Sequence, residues 1–316
     1  MVKQVLLCGC GNIGFRHLQA MSTMETPAHI IIVEPFQEAH ERISDFISSQ
    51  EESGKHSYSL ASEIPSSPRT LDLVVIATNA DTRQAAFEDI IARHSVSVVI
   101  FEKILFQSVQ ALDAVQATLE AHGIRGFVNC GRRGFDSYHA LFDELDENLP
   151  THVTVTGSAF GLASNAVHFL DLIEFLNRSS VGRVDLSGLH PNAVESKRAG
   201  FYEIFGTLEG MLKNGAALSV TCEDDDTMNI VISIQNGDKN YQINELKGTI
   251  VRDDQVGPFE IKYVSGMPQI YDQALEYGDP GLTPYVDSAN QHRLYLRAMC
   301  KYLGLPTADE TLCPIS

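Results

Sequence analysis

Val5-Leu6-Leu7-Cys8-Gly9-Cys10-Gly11-Asn12-Ile13-Gly14 opens the chain with a short apolar run that breaks into glycines at positions 9, 11 and 14. The run Val5 to Leu7 reads as a strand buried on both faces, and the residues from Asn12 onward read as a helix. A strand-to-helix turn of this kind needs a glycine for the tight bend at Gly9. It needs a bare backbone at Gly11, where a pyrophosphate can approach, and close helix-to-strand packing at Gly14. The helix N-terminus at Asn12 and Ile13 then turns its N–H groups and the positive end of the helix dipole toward phosphate. Three glycines alone are a weak sign, because FAD and S-adenosylmethionine sites share parts of the pattern. The second requirement is an acid at the end of the next strand, about 20 residues on. Glu34 closes the run Ile30-Ile31-Ile32-Val33 and meets it. A carboxylate there accepts hydrogen bonds from both hydroxyls of an adenosine ribose and repels a further phosphate, so the expected cofactor is NAD(H).

Outward from this turn, Leu73 to Ala77 and Val96 to Phe101 continue the series of apolar runs. Helical patterns near 12–24, 36–49, 81–93 and 107–122 lie between them, and strands alternating with helices predict a doubly wound parallel sheet. Glu51 to Pro68 reads as a polar connection with one short strand at Tyr58 to Leu60. After Cys130 the pattern changes. Val153, Val155, Gly157 and Ala159 alternate with Thr154, Thr156 and Ser158, the period of a strand with one covered face. Asn214-Gly215 and Asn236-Gly237 each join two such runs and predict hairpins. The chain is therefore expected to fold as α/β, with a Rossmann domain over 1–124 and an α+β domain over 125–316 whose sheet is mainly antiparallel and open. Helices are expected near 164–177 and 287–303, the last stopped by Gly304 and Pro306. An open face carrying Val231 and Tyr241 predicts a homodimer or homotetramer.

The 316 residues and 44% hydrophobic content suit two packed domains, and the net charge of −18 sets aside nucleic acid and anionic membranes as partners. The six cysteines are scattered with no CxxC spacing, which predicts free thiols and no metal site, as in a reducing cytoplasm. The apolar stretch at Val5 to Leu7 is too short for a signal peptide, and no run reaches the length of a membrane span.

Four further stretches carry a resemblance. Ala77-Thr78-Asn79-Ala80-Asp81-Thr82-Arg83, Phe101-Glu102-Lys103-Ile104-Leu105, Arg132-Arg133-Gly134-Phe135 and His168 ahead of Asp171 resemble, in order and spacing, the glucose-fructose oxidoreductase and inositol dehydrogenase family, Gfo/Idh/MocA. The resemblance implies nicotinamide-dependent oxidation or reduction at a carbon of a sugar, polyol or nucleotide-linked sugar. It implies Lys103 and His168 as catalytic residues, Thr78 and Asn79 against the cofactor, and Glu102 near the nicotinamide ribose. Two relatives of that activity are the alternatives: a non-catalytic regulator that senses cofactor, and an epimerase or lyase that regenerates NAD in each turnover.

The residues themselves agree in part. Lys103 ends an apolar strand, where ligands of open α/β sheets bind, and its neighbours Val98, Val99 and Ile100 predict desolvation that favours proton transfer. The plain alternative is an exposed Glu102-Lys103 pair at a strand end. His168 and Asp171 are three apart on a helix, so they share a face, opposite an apolar stripe of Ala166, Phe169, Leu170 and Ile173. The plain alternative there is a histidine bonded to its own Asp171. Arg132 and Arg133 read equally as surface charge or as holders of an anionic substrate group. The chain departs from the family pattern at Ile104, where a proline is usual, and at Ser164, where many sugar dehydrogenases place an aspartate. Ser164 and Asn165 then become neutral hydrogen-bonding partners of the substrate, beside Asp171.

Overall fold

A computed structural model describes residues 2–51, 54–196 and 199–316. Glu52 and Ser53, within the polar connection expected after Glu51, lie outside the described residues. The chain forms two compact units: residues 1–106, 113–129 and 262–286 make the first, and 107–112, 130–261 and 287–316 make the second.

In the first unit β1 (Lys3–Cys8), α1 (Asn12–Met21), β2 (Ala28–Val33), α2 (Gln37–Glu51), β3 (Ser57–Ala61), β4 (Thr70–Ile76), α3 (Arg83–Arg93), β5 (Ser95–Phe101), α4 (Val109–His122) and β6 (Arg125–Val128) follow one another. The strands lie in the order β3-β2-β1-β4-β5-β6, all parallel, which is the predicted doubly wound sheet. Leu6, Ile30, Val75 and Val99 are fully or almost fully buried, as strands covered on both faces require. The expected boundary after residue 124 falls one strand early. β6 completes the parallel sheet, with Val128 in register with Phe101.

In the second unit α5 (Asp136–Glu144), β7 (Thr151–Ser158), α6 (Leu162–Asn177) and β8 (Val181–Leu189) lead to the short pair β9 (Val194–Glu195) and β10 (Tyr202–Glu203). Six strands follow: β11 (Gly206–Leu212), β12 (Ala217–Glu223), β13 (Asn229–Asn236), β14 (Lys239–Asn244), β15 (Thr249–Arg252) and β16 (Gln255–Pro258). The eight-stranded sheet has the order β16-β15-β14-β13-β7-β12-β11-β8 and is antiparallel except where β12 runs parallel to β7. Both predicted hairpins form, β11 with β12 and β13 with β14. One face is apolar and covered: Val153, Val155, Val220 and Ile232 are buried, as are Ala166, Phe169, Leu170 and Ile173 of α6.

Thr154 and Gln242 face outward. Tyr241, expected on that open face, is instead 7% exposed. Its register partner Ile234 lies on the covered side, and side chains paired across strands share a face. Val231 is half-buried on the outer side.

The chain returns to the first unit with α7 (Gln269–Glu276) and β17 (Thr283–Pro284), which pairs antiparallel with β6, before α8 (Tyr285–Tyr302) ends the fold. The carboxylate of Asp272 on α7 accepts the backbone N–H groups of Glu25 and Thr26 at 2.9 and 2.8 Å. Phe101, the last residue of β5, is fully buried with its ring against Phe87, Phe106 and Tyr285 at 5.3, 6.0 and 5.6 Å. Phe101→Ala should therefore cost about 3–5 kcal/mol in the unfolding of the first unit. Urea denaturation checks this, and a loss below about 1 kcal/mol would show that the aromatic cluster does not support β5.

Candidate active site

The glycine turn is set by contacts between backbones. A Cβ on Gly14 would lie 2.0 Å from the carbonyl oxygen of Gly9, and one on Gly9 would lie 2.9 Å from the nitrogen of Thr78. Helix α1 can therefore approach β1 and the end of β4 only with hydrogen at these positions. A Cβ on Gly11 would meet nothing within 4 Å, so the space beside this residue is open. Gly11, Asn12 and Ile13 are exposed, and no side chain caps α1. Glu34 is 3% exposed; its Oε2 accepts the N–H of Cys10 at 2.6 Å and its Oε1 that of Phe36 at 3.0 Å. Arg42 donates to the carbonyls of Cys10 and Gly11 at 3.1 and 3.2 Å while its guanidinium lies 4.4 Å from the Phe15 ring. Thr78 walls Gly9, and Asn79 beside it is exposed. Open space at Gly11 and uncapped helix N–H groups fit the pyrophosphate of a dinucleotide, while Glu34, at the end of β2, is buried with both oxygens on backbone N–H groups and has as little of its carboxylate open to a ribose as Glu102 does.

Lys103 follows β5 at the same carboxyl edge of the sheet. The Arg83 guanidinium, 2% exposed, donates to the carbonyls of Thr78, Ile104 and Leu105, tying the turn after β5 to the strand end that walls Gly9. The Lys103–Ile104 peptide is cis and Ile104 is fully buried.

Glu102 is 4% exposed, so the sequence alternative of an exposed acid-base pair does not hold, and little of the carboxylate is open to a ribose. Oε1 accepts His17 Nε2–H at 2.9 Å and Asn129 Nδ2–H at 2.6 Å, and Oε2 takes the backbone N–H of Lys103 at 3.3 Å. Behind it, His17 Nδ1 lies 2.7 Å from the hydroxyl of Tyr271, and both residues are fully buried. Burial alone would raise the Glu102 carboxyl, but the hydrogen bond and charge of His17, then Asn129 and Lys103, outweigh it and hold the group below its ordinary range. Burial, with the charge of Glu102, pushes the Tyr271 phenol well above its ordinary value, so it keeps its proton.

In the second unit the first turn of α6 is closed by a carboxylate from β10. Glu203 accepts the N–H of Ala163 at 2.5 Å, and its other oxygen is 3.5 Å from Ser164 Oγ. Asn165 Nδ2 donates to the carbonyls of Phe160 and Gly161 at 2.5 and 3.1 Å. Ser164, Asn165 and His168 are all half-buried, with His168 one turn beyond Ser164.

The roles foreseen for Arg132, Arg133 and Asp171 are corrected. Arg132 forks onto Glu245 at 2.7 and 2.6 Å, over the Phe169 ring at 4.4 Å, and Tyr138 donates to the same carboxylate at 2.7 Å. Arg133 donates to Asp171 at 3.0 and 3.4 Å, and Asp171 is fully buried. The 3-10 turn Gly131–Gly134 carries both guanidiniums onto carboxylates that cannot stay charged in the interior without them, which leaves neither arginine to an anionic substrate. Gln291 extends this cluster to Glu174 at 2.6 Å. Burial raises the Glu174 carboxyl from 4.5 to about 7, against the hydrogen bonds from Gln291 and Val181 that lower it.

His17, Asn129, Tyr271, Arg83 and Glu203 were not singled out by the sequence. His17 stands three residues after Gly14, one turn along the same helix, which is the one available signal. Tyr271 has none, because its segment rejoins the first unit from far down the chain.

Residues 3–130 match the family described as oxidoreductase family, NAD-binding Rossmann fold, GFO_IDH_MocA. No curated protein matches the sequence. Among solved structures, UDP-N-acetylglucosamine 3-dehydrogenase GnnA from Acidithiobacillus ferrooxidans is similar at 14% identity and a TM-score of 0.72, over 94% of this chain and 97% of that one. The super-repressor mutant of Gal80p from Saccharomyces cerevisiae is similar at 12% identity and a TM-score of 0.72, over 96% of each chain. Scyllo-inositol dehydrogenase from Lactobacillus casei, with bound NAD(H) and scyllo-inositol, is similar at 12% identity and a TM-score of 0.67, over 96% of this chain and 97% of that one. At these identities the likeness establishes the fold. No helix among the described residues is long and apolar enough to cross a membrane.

Two outcomes are expected. Gly11→Ala should leave the melting temperature nearly unchanged yet weaken NADH binding about tenfold or more, since a methyl fills the space a pyrophosphate needs, whereas Gly14→Ala should destabilise the fold itself. Calorimetric titration and thermal melts separate the two, and unweakened NADH binding by Gly11→Ala would sink the assignment. For Glu174, the folded state holds a proton more tightly than the unfolded state. Stability should thus fall as pH rises from 4.5 to about 7 and then level off. Glu174→Gln should remove that decline, as urea midpoints measured across this window will show.

Proposed function

We propose, on the premise that residues 3–130 form the NAD-binding Rossmann domain of the Gfo/Idh/MocA oxidoreductases, that this chain is an NAD(H)-dependent dehydrogenase acting at a carbinol carbon of a sugar, polyol or nucleotide-linked sugar. The observation that carries the reading is the Arg83 tie. Arg83 donates to the carbonyls of Ile104 and Thr78, so the turn that carries Lys103 is tied to the strand end that walls the glycine turn, which supports reading Lys103 as the ionisable group beside the cofactor. When bound, the nicotinamide takes up or supplies the hydride. Lys103 takes the proton of the substrate hydroxyl in oxidation and returns it in reduction. Gly9, Gly11, Gly14 and Glu34 hold the dinucleotide, with Thr78 and Asn79 flanking it. His168, Ser164 and Asn165 on α6 supply hydrogen bonds that orient the substrate. The carbohydrate class is supported by the likeness to GnnA and to scyllo-inositol dehydrogenase. Six free and buried cysteines suit a reducing compartment such as the cytoplasm.

The likeness to a Gal80p super-repressor supports a second reading, a regulator that binds the cofactor without turning it over. Lys103→Met separates them. It keeps the stem but removes the charge and the proton, so NADH affinity should change little while turnover, found with a panel of sugars, polyols and nucleotide sugars, falls on the order of 10² to 10⁴. Turnover that survives this change nearly intact would move the proton transfer to another residue. NADH binding without turnover on any member of the panel would favour the regulator.

A further inference from the structure

An exposed cation is fastened to the glycine turn. Arg42 lies on α2 with Glu38 four residues before it and Asp45 three residues after it, the spacings at which side chains on a helix pair. All three are exposed, yet among the described residues Arg42 makes an ion pair with neither. Its guanidinium rests instead on α1 and the turn: Nη2 donates to the carbonyls of Cys10 and Gly11 at 3.1 and 3.2 Å, and the centre of the Phe15 ring is 4.4 Å away. Cys10 is held from both sides, since its N–H goes to Glu34 Oε2 at 2.6 Å. We propose that Arg42 reads the 2′-substituent of the cofactor's adenosine ribose, and that the protein therefore takes NADPH as well as NADH. The proposal rests on the reading of Gly9 to Gly14 as a dinucleotide turn and deepens it by assigning which dinucleotides the turn accepts.

A strict preference for NADH requires the Glu34 carboxylate to meet the ribose, where it would bond both hydroxyls and repel a phosphate. Glu34 is 3% exposed, and its oxygens lie on the N–H groups of Cys10 and Phe36 at 2.6 and 3.0 Å. That carboxylate serves the cofactor by bracing the turn, not by touching the ribose. The ribose of a bound dinucleotide lies between the end of β2 and the glycine turn. Among the described residues, Arg42 is the exposed charge of α2 that is bonded to this turn. It stands one peptide unit from the carboxylate that it offsets, because Glu34 takes the N–H of Cys10 and Arg42 takes its carbonyl. The two carbonyls occupy Nη2. Nη1 and Nε keep three N–H groups with no protein partner among the described residues, and a guanidinium gives such groups to phosphate oxygens in strong, charge-assisted bonds. A ribose hydroxyl is neutral and gains little from the same contact. The guanidinium thus adds affinity for the phosphorylated ribose and is not needed for the plain one.

Calorimetric titration of the full chain with NADH and NADPH, and with the fragments 5′-AMP and 2′,5′-ADP, tests the assignment without turnover. In the unmodified protein NADPH should bind within about tenfold of NADH, and 2′,5′-ADP more tightly than 5′-AMP. Arg42→Gln removes the charge-assisted bonds, so it should weaken NADPH and 2′,5′-ADP about tenfold or more and leave NADH and 5′-AMP within about twofold. Retained NADH binding also shows that the variant is folded. NADPH weaker than NADH by more than about tenfold in the unmodified protein overturns the proposal, and this arm needs no variant. Equal loss of both dinucleotides, in an Arg42→Gln protein that melts as the unmodified one does, overturns it too, because the guanidinium would then grip the pyrophosphate that both share. NADPH affinity that ignores Arg42→Gln removes the residue from the site. In each of these outcomes NADH binding by the unmodified protein keeps the dinucleotide reading intact, whereas binding of neither dinucleotide overturns that reading and the proposal together.

Discussion

A carboxylate buried at the carboxyl edge of a parallel sheet governs the first unit. Glu102 ends up with 4% of its surface exposed, and in that position it must find donors or lose its charge. The fold supplies them from separate elements: an imidazole from the second turn of α1, an amide from the residue after β6 and the backbone N–H of the next residue. Each donor fixes the element that carries it. Gly14 allows α1 to lie against the backbone of the turn, which brings His17 within reach, and Phe101 anchors the last residue of β5 in an aromatic cluster. The segment 262–286 has a reason to return to this unit, since Tyr271 completes the bonding of His17.

The second unit solves a similar problem with guanidiniums. Two adjacent arginines on one 3-10 turn each meet a buried carboxylate, Arg132 with Glu245 and Arg133 with Asp171. Breaking either pair would strand a charge in the interior, which is costlier than the pair is favourable. These ion pairs set the geometry of α6 and the turn before α5. Ser164, Asn165 and His168, in the first half of α6, stay half-buried. The Ser164 hydroxyl there stands close to a carboxylate from β10, Glu203, rather than being an acid itself.

The matched family covers the first 130 residues, and likeness of fold extends over nearly the whole chain, to proteins described as dehydrogenases and to one described as a repressor. One scaffold hosting both catalysts and regulators is expected when function lives in the site and not in the fold.

The sequence by itself determined what depends on neighbours along the chain. The period of apolar residues specified parallel strands in the first half and one-sided strands in the second. The Asn-Gly pairs specified the hairpins, and the spacing from Gly9 to Glu34 specified a dinucleotide turn, because strand, turn, helix and acid are consecutive. Tertiary structure decided everything that joins distant residues. It put Tyr241 on the covered face through a register set by Ile234, moved the domain boundary past β6, and turned Arg132, Arg133 and Asp171 from substrate contacts into buried ion pairs. It also brought Tyr271 to His17 across 254 positions, which no local pattern encodes. Periodicity records which face of an element is buried, but the partner that a buried charge finds depends on packing, and packing is not written in any one segment.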